Sequence, residues 1–313
     1  SSAASDVYKR QTQLNISNID ALKFYAHYAD VVVLARELNL EQVKEIHDRI
    51  VAENLCGPSG ERIRIEMFCH GALCMAISGK CYLSLDNLGR SANRGECMQV
   101  CRRGYTVRDR ETGVELDVDN KYIMSPKDLK TIGFIDKMYA AGVRVFKIEG
   151  RARSAEYVST VVSCYKEALE AVVDGTFSSE KTAEWDERLA TVFNRGFWDG
   201  YYLGRKLGEW SEKYGSEATE RKVYVGKGVK YYSKLGVAEF KLEAGAINKG
   251  DKLLVVGPST GAVYFEATEI RYDLQPVDHA EKGQHISIPI SERVRPSDKL
   301  YRIEHCDENA KNA

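Results

Sequence analysis

Apolar positions in the first half of the chain switch between two periods. Residues 31–35 form a continuous, largely β-branched apolar run, which is typical of a strand buried on both faces. Residues 40–51 then place apolar side chains at helical spacing, and residues 63–68 alternate like a second strand. Residues 143–148 form a further strand candidate, and a long amphipathic helix is predicted over residues 154–175.

A helix start is predicted at Ser125. This side chain is suited to capping, Pro126 fits the first helical position, and Asp128 completes a capping-box pattern. Apolar residues follow at helical spacing, and Gly142 is suited to closing the helix. We therefore expect one helix from this point to Gly142.

The alternation of strands and helices predicts an α/β domain with a parallel sheet. Only three or four βα units are visible, whereas a full eight-stranded barrel needs roughly 250 residues. The pattern leaves an open sheet and half a barrel as alternatives. Residues 205–220 are polar without periodicity and indicate a linker. From 222 to 303, short β-rich runs between glycines predict a small β-barrel or sandwich.

Length and composition are those of a globular protein with one large and one small domain. The chain has 313 residues, of which 43% are hydrophobic and 29% are charged. No run approaches the roughly 18 apolar residues of a membrane span, so we expect a cytoplasmic protein without a membrane partner. The formal net charge of −1 excludes nucleic-acid binding by overall charge and requires a local basic patch for that role.

The first residues need separate treatment. Residues 6–11 read Asp-Val-Tyr-Lys-Arg-Gln, which is what a common sequencing adapter encodes in one frame. We interpret residues 1–11 as a scar joined to an incomplete reading frame, with a natural polar tail as the alternative. On this interpretation residues 1–11 pack against nothing, and the native chain begins upstream.

Cysteines are concentrated in one segment. Of eight cysteines, five lie between Cys69 and Cys101, which favours a metal or redox site over a disulfide framework. Cys74, Cys81, Cys97 and Cys101 are separated by six, fifteen and three residues. Four thiolates suit an iron–sulfur cluster or tetrahedral zinc, and this spacing alone leaves both open. Cys69 is a fifth candidate, for which we prefer a buried strand position.

Arginines surround the last two cysteines, and charged residues end the predicted strands. The arginines suit phosphate or carboxylate binding, and a solvated loop is the alternative; they are Arg90, Arg94, Arg102, Arg103, Arg108 and Arg110. Ligands of parallel α/β proteins gather at the carboxyl ends of strands. The candidates at strand ends, for which structural ion pairs are the alternative, are Arg36, Glu37, Glu66, Lys147, Glu149 and Arg151.

Several motifs together resemble the signature of the U32 peptidase family. They are EMFCHGALC at 66–74, GKCYLS at 79–84, RGECMQVCR at 94–102, SPKDL at 125–129 and KIEGR at 147–151. The resemblance extends from about residue 12 to about residue 203. The C-terminal part resembles the accessory β domain of that family and the small barrels of translation factors.

The resemblance implies a partial TIM-barrel-like domain over residues 12–210, holding only the later strands, and a small β-barrel domain over 221–306. It implies an enzyme that hydroxylates RNA, with prephenate-dependent hydroxylation of wobble uridine in tRNA as the favoured reaction. A 4Fe–4S cluster on Cys74, Cys81, Cys97 and Cys101 and prephenate as co-substrate follow from the same resemblance. Because the early strands would be missing, we expect the chain alone to be inactive.

Candidate site residues are assigned on this basis. The catalytic candidates are Glu66, His70, Lys147, Glu149 and Arg151, and the substrate-binding candidates are Arg36, Glu37, Arg94, Arg102 and Arg103. Two alternatives stay open, a collagenase-like peptidase and a non-catalytic metal-binding module that contacts RNA. The sequence contains neither a His-Glu-x-x-His helix motif nor a Gly-x-Ser-x-Gly elbow. It does not indicate the oligomeric state.

Overall fold

The computed structural model describes residues 9–10, 14–78, 80–94, 96–118, 125–151, 153–205, 208–211 and 215–306. The chain divides into two compact units. The first comprises residues 1–149, 164–186 and 194–217, and the second comprises residues 150–163, 187–193 and 218–313. Unlike the division expected from the sequence, the second unit also includes the two short segments 150–163 and 187–193.

The first unit contains helices, a mixed sheet of six strands and a separate antiparallel pair formed by the fourth and fifth strands of the unit. Its strands are β1 (Lys9–Arg10), β2 (Val31–Val33), β3 (Arg64–Ala72), β4 (Tyr105–Arg108), β5 (Glu115–Val118), β6 (Asp128–Lys130), β7 (Val143–Ile148) and β8 (Phe197–Trp198). The helices between Ile19 and Ala190, of which the last two belong partly to the second unit, are α1 (Ile19–Ala26), α2 (Leu40–Ala52), α3 (Leu83–Leu88), α4 (Ile135–Ala140), α5 (Ala155–Val173) and α6 (Ser179–Ala190).

Strand β3 is the centre of this sheet. It pairs in parallel with β2 on one edge and with β7 on the other, and β1 continues the parallel order beyond β2. The end of β3 pairs with β6 in antiparallel orientation, and β8 runs parallel to β6. The mixed α/β class and the strands predicted near residues 31, 63 and 143 are confirmed.

Apolar packing explains these elements. Val32, Val33, Ile65 and Val143 are buried in the sheet, and α2 covers it with its own apolar face. A buried side chain of this size contributes about 1.5–3 kcal/mol. Helix α2 begins at a capping box in which the Asn39 side chain and the Gln42 side chain bond each other's backbone N–H.

Two expectations need correction. Lys9 and Arg10 pair with Val31 and Val32, so it is wrong that residues 1–11 pack against nothing; the other members of that segment lie outside the described residues. Parallel pairing uses backbone N–H and C=O groups, which Lys9 and Arg10 provide whatever their side chains are. The helix predicted from Ser125 begins only at Ile135, because residues 128–130 form β6 and pair on both edges.

The second unit contains the predicted C-terminal β domain. Its strands are β9 (Glu220–Tyr232), β10 (Val237–Leu242), β11 (Ala246–Asn248), β12 (Lys252–Gly257), β13 (Gly261–Glu266), β14 (Ile270–Tyr272), β15 (Gln275–Val277), β16 (His279–Glu281), β17 (His285–Pro289) and β18 (Lys299–His305). Eight of them form one antiparallel sheet in the order β13-β12-β18-β9-β10-β17-β14-β15, and β11 pairs with β16. Gly226 is required in β9, since a Cβ there would lie 2.2 Å from the carbonyl oxygen of Lys241.

None of the helices in the described part of the chain combines the length and the apolar composition needed to cross a membrane.

Candidate functional site

The cysteine segment starts where β3 ends. Cys74 follows β3 by two residues, Cys81 precedes α3 by two residues, and Cys101 lies in the short 3₁₀ helix Val100–Arg102. Cys74 and Cys97 are exposed, and Cys81 and Cys101 are partly buried. By contrast, Cys69 and Cys164 are fully buried, as expected.

The thiol of Cys101 is affected by burial and by the charged groups around it. Burial raises the pKa of Cys101 to about 11, the positive charge of Arg102 opposes that rise, and the other three thiols, Cys74, Cys97 and Cys81, add to it. Such an effect requires the charges to be close. Metal binding at Cys101 would have to displace the proton of this thiol, because a thiolate is the form that binds a metal.

Two hydrogen-bonded links connect the parts of the segment. The Arg102 guanidinium donates through Nη2 to the carbonyl oxygen of Leu73 at 2.9 Å, joining the neighbours of Cys101 and Cys74. The backbone N–H of Met98 donates to Ser84 Oγ at 3.0 Å, joining the neighbours of Cys97 and Cys81. Leu73 and Ser84, which accept these two bonds, are both buried.

The donor set fits a thiophilic metal or an iron–sulfur cluster. Among the described residues, no three His, Cys, Asp or Glu side chains already stand in metal-binding geometry, so binding would draw the four sulfur atoms closer. The hydroxyl of Ser78, three residues before Cys81, is buried and has no hydrogen-bond partner among the described residues. Such a hydroxyl is suited to donate to a thiolate or sulfide.

A second group of side chains surrounds Phe68 in the middle of β3, and Glu66 lies in the first half of that strand, so the expectation that Glu66 stands at a strand end is wrong. Arg36 Cζ is 5.1 Å and Lys147 Nζ is 5.0 Å from the ring centroid of Phe68. Because β2 and β7 flank β3, the two cations reach this ring from opposite strands. The carbonyl oxygen of Phe68 accepts a hydrogen bond from the Tyr202 hydroxyl at 2.9 Å, which fixes the strand here.

Glu66 brings negative charge into the same group. Its carboxylate is fully buried, and Oε1 lies 3.6 Å from Lys147 Nζ. A buried carboxylate needs such a partner because desolvation penalises the charge. The cations of Arg36 and Lys147 beside the Phe68 ring are suited to an anionic or aromatic ligand.

His70 occupies a different environment. It is 2% exposed, its Nδ1 lies 3.3 Å from the Tyr165 hydroxyl, and its ring contacts that of Phe197. The Tyr165 hydroxyl donates to the carbonyl oxygen of Cys69 and accepts from the N–H of Thr131, so it is free to accept from Nδ1–H of His70. The structure thus places His70 inside the protein.

The other predicted substrate-binding residues fall into two groups, those bonded to the cysteine segment and those exposed on the surface. Glu37 accepts from the backbone N–H of Ser78 at 2.8 Å, and Arg102 donates to Leu73, Ser125 and Pro126, so both hold the cysteine segment. Arg94 and Arg103 are exposed, and neither side chain has an ion pair or hydrogen bond within the described part of the chain.

Two further candidates lie next to β7. The backbone N–H of Glu149 donates to the His70 carbonyl, and Arg151 is exposed and belongs to the second unit. Sequence reasoning missed Phe68, Ser78, Ser84, Tyr165 and Tyr202. Of these, only Phe68 could have been identified from the sequence, because the alternating pattern places it on the same side of the strand as Glu66.

The chain has relatives of two kinds. It is 65% identical over 297 residues to a Porphyromonas gingivalis protein named collagenase, covering 95% of this chain and 72% of that protein. It is 40% identical over 202 residues to the 23S rRNA 5-hydroxycytidine synthase of Escherichia coli, and 37% identical over 198 residues to tRNA hydroxylation protein P1 of Bacillus subtilis. Each of these two alignments covers 62% of this chain and, respectively, 29% and 44% of the relative.

Among solved structures, the C-terminal domain of a Geobacillus thermoleovorans U32 family protein is 16% identical, with a TM-score of 0.24, over 25% of this chain and 90% of that domain. Residues 8–212 match the sequence profile of Peptidase family U32. The protein is thus a mixed α/β protein whose sheet carries a cysteine segment at its carboxyl edge. The chain belongs to Peptidase family U32.

Proposed function

We propose that this chain is part of an enzyme that hydroxylates a pyrimidine base of RNA, with wobble uridine of tRNA as the favoured substrate. One observation carries the proposal: the Glu37–Ser78 hydrogen bond joins the four-cysteine segment to the residue that follows Arg36, and Arg36 and Lys147 both lie beside the Phe68 ring. Relatives named for tRNA and ribosomal RNA hydroxylation support this reaction type.

The four cysteines, Cys74, Cys81, Cys97 and Cys101, are our proposed ligands of a 4Fe–4S cluster. When bound, such a cluster would supply one-electron chemistry at this site. The chain's own residues position it through Arg102 and Ser84, and the Ser78 hydroxyl is available to a sulfur atom.

Prephenate is our proposed co-substrate, and it carries two carboxylates. Replacing the C5 hydrogen of uracil by a hydroxyl group removes two electrons and adds one oxygen atom, so a co-substrate is required. Arg36 and Lys147 provide two cationic groups for carboxylates, with Phe68 between them. Exposed Arg94 and Arg103 are suited to RNA phosphates. We also propose that the parallel strands β1, β2, β3 and β7 belong to an incomplete (β/α) barrel.

The test uses a strain without its tRNA hydroxylation genes or any oxygen-dependent bypass enzyme, complemented with the full-length gene. Mass spectrometry of digested tRNA should show restored 5-hydroxyuridine derivatives, and the signal should disappear in a strain unable to make prephenate. The C74S variant should restore nothing. Hydroxycytidine restored in ribosomal RNA would move the substrate to that RNA, and neither product would overturn the proposal.

A peptidase is the second candidate, favoured by the relatives named collagenase. The histidine contacts give it no support: His70 faces Tyr165, His279 faces Asn248 and His285 faces Glu239, and none of these partners is a serine or cysteine nucleophile. Incubation of the full-length protein with denatured collagen separates the candidates. Cleavage that survives repurification and is lost in point variants of one site would favour the peptidase.

A further inference from the structure

The Arg102 side chain differs from the other arginines of the cysteine segment. Arg90 pairs with Glu96 and Arg108 pairs with Glu115 on the surface, and Arg103 is exposed. Arg102 instead turns inward, although its neighbour Arg103 has the same chemistry. An inward guanidinium next to a proposed ligand calls for a structural reason.

Within the described part of the chain, Arg102 donates to three oxygen atoms of the protein itself. Nη1 donates to Ser125 Oγ at 2.8 Å and to the Pro126 carbonyl oxygen at 3.1 Å, and Nη2 donates to the Leu73 carbonyl oxygen at 2.9 Å. Ser125 is itself 3% exposed. These bonds join three separate stretches of chain through one planar group, which a lysine is unable to reproduce.

The position of these bonds along the chain gives them their consequence. Leu73 directly precedes Cys74, and Arg102 directly follows Cys101. The guanidinium therefore links the two chain segments that carry the first and the last cysteine. The bond between Met98 and Ser84 likewise links the residue after Cys97 to helix α3, which begins two residues after Cys81.

We infer that Arg102 is a positioning residue that holds Cys74 and Cys101 in place for metal binding and does not bind substrate. The inference rests on the proposed four-thiolate site and adds the element that organises it before metal arrives. Prior organisation lowers the entropic cost of gathering ligands from separate loops. Loss of such a supporting residue typically weakens metal affinity about 10–100-fold.

The experiment compares R102K and R102Q with R103K and R103Q in the purified 313-residue chain. Cobalt(II) alone is titrated under anaerobic, reducing conditions, and thiolate coordination is followed by its visible absorption. The Arg103 variants should bind like the parent chain. R102Q and R102K should both bind about 10–100-fold more weakly, since charge without the planar fork does not restore the bonds. Wild-type affinity in R102Q would overturn the inference.

A second readout separates positioning from general destabilisation. Thermal unfolding identifies any variant that no longer folds, and S125A, which removes one acceptor and leaves two, then decides. Weaker cobalt binding by folded S125A supports the inference, and unchanged binding overturns it. Failure of the parent chain to bind cobalt, and to take up iron and sulfide, would contradict the proposed cluster itself. RNA hydroxylation is not needed for either readout.

Discussion

The hydroxyl of Tyr165 donates a 2.7 Å hydrogen bond to the carbonyl oxygen of Cys69, in the middle of strand β3. Both residues are buried, and burial raises the pKa of Tyr165 well above its ordinary value, so this hydroxyl stays neutral. The hydroxyl oxygen of Tyr165 also accepts a hydrogen bond from the backbone N–H of Thr131 at 2.9 Å. One phenol thus connects α5, β3 and the segment after β6.

Replacing Tyr165 by phenylalanine should lower the free energy of unfolding by about 1–3 kcal/mol, because it removes two buried hydrogen bonds, to the Cys69 carbonyl oxygen and from the Thr131 N–H. Chemical denaturation measures the change. The control is Y232F, whose hydroxyl contacts the Glu239 carboxylate in the β domain and is only partly buried. Equal stability of Y165F and the parent chain would show that water or a rearranged neighbour replaces the hydroxyl.

Gly142 is expected to resist substitution for steric reasons. Its φ is +95°, and a Cβ at this position would lie 2.1 Å from Cγ of His47. G142A should therefore destabilise the protein by more than the roughly 1 kcal/mol that a positive φ costs alone. Gly175 is the matched control, since its φ is +68° and nothing lies within 4 Å of its added Cβ. If G142A and G175A unfold at the same denaturant concentration, His47 does not restrict this position.

The pair of Lys147 and Glu66 should show energetic coupling. K147M removes the cation 3.6 Å from the buried Glu66 carboxylate, and we expect a loss of about 1–3 kcal/mol in the free energy of unfolding. Changing both residues, K147M with E66Q, should recover part of this loss, because the uncompensated charge is removed. A double-mutant cycle by urea denaturation measures the coupling, expected at about 0.5–3 kcal/mol. Additive single effects would mean that the two groups do not interact.

Asp30, which directly precedes β2, should make a pH-dependent contribution to the free energy of unfolding. Ser59 donates to its Oδ1 through Oγ at 2.6 Å and through the backbone N–H at 3.0 Å, and these bonds lower the pKa of Asp30. A carboxyl group with a lowered folded-state pKa stabilises the fold above its unfolded value of about 3.9, and this contribution is lost as the pH falls through the folded value.

The variant S59A should therefore lose about 1 kcal/mol at neutral pH. The difference from the parent chain should shrink as the pH falls below about 3.9. Urea denaturation across this range measures it. S291A, which removes a surface hydroxyl beside Glu292, should change little at any pH. A difference between S59A and the parent chain that is constant with pH would exclude Asp30 as its cause.

Local pattern was sufficient for the elements that bury one continuous apolar face. Helices α2 and α5, strands β2, β3 and β7 and the glycine-punctuated β domain all appear where the apolar spacing predicted them. The reason is that side-chain burial repeats with the period of the backbone, so neighbouring residues carry the information. The same holds for the cysteine segment, whose residue types and spacing indicate thiolate chemistry without reference to the fold.

Only the tertiary structure decided what Ser125 and Arg102 do. The capping-box pattern predicted that Ser125 starts a helix, yet its hydroxyl accepts from Arg102, and Asp128 begins a strand between β3 and β8. The sequence predicts that Arg102 binds substrate, whereas in the structure its guanidinium donates hydrogen bonds to three oxygen atoms of the protein. Helix propensities of most residues differ by about 1 kcal/mol or less, so hydrogen bonds to distant segments of the chain outweigh them. These distant partners cannot be identified from the residues that are close in sequence.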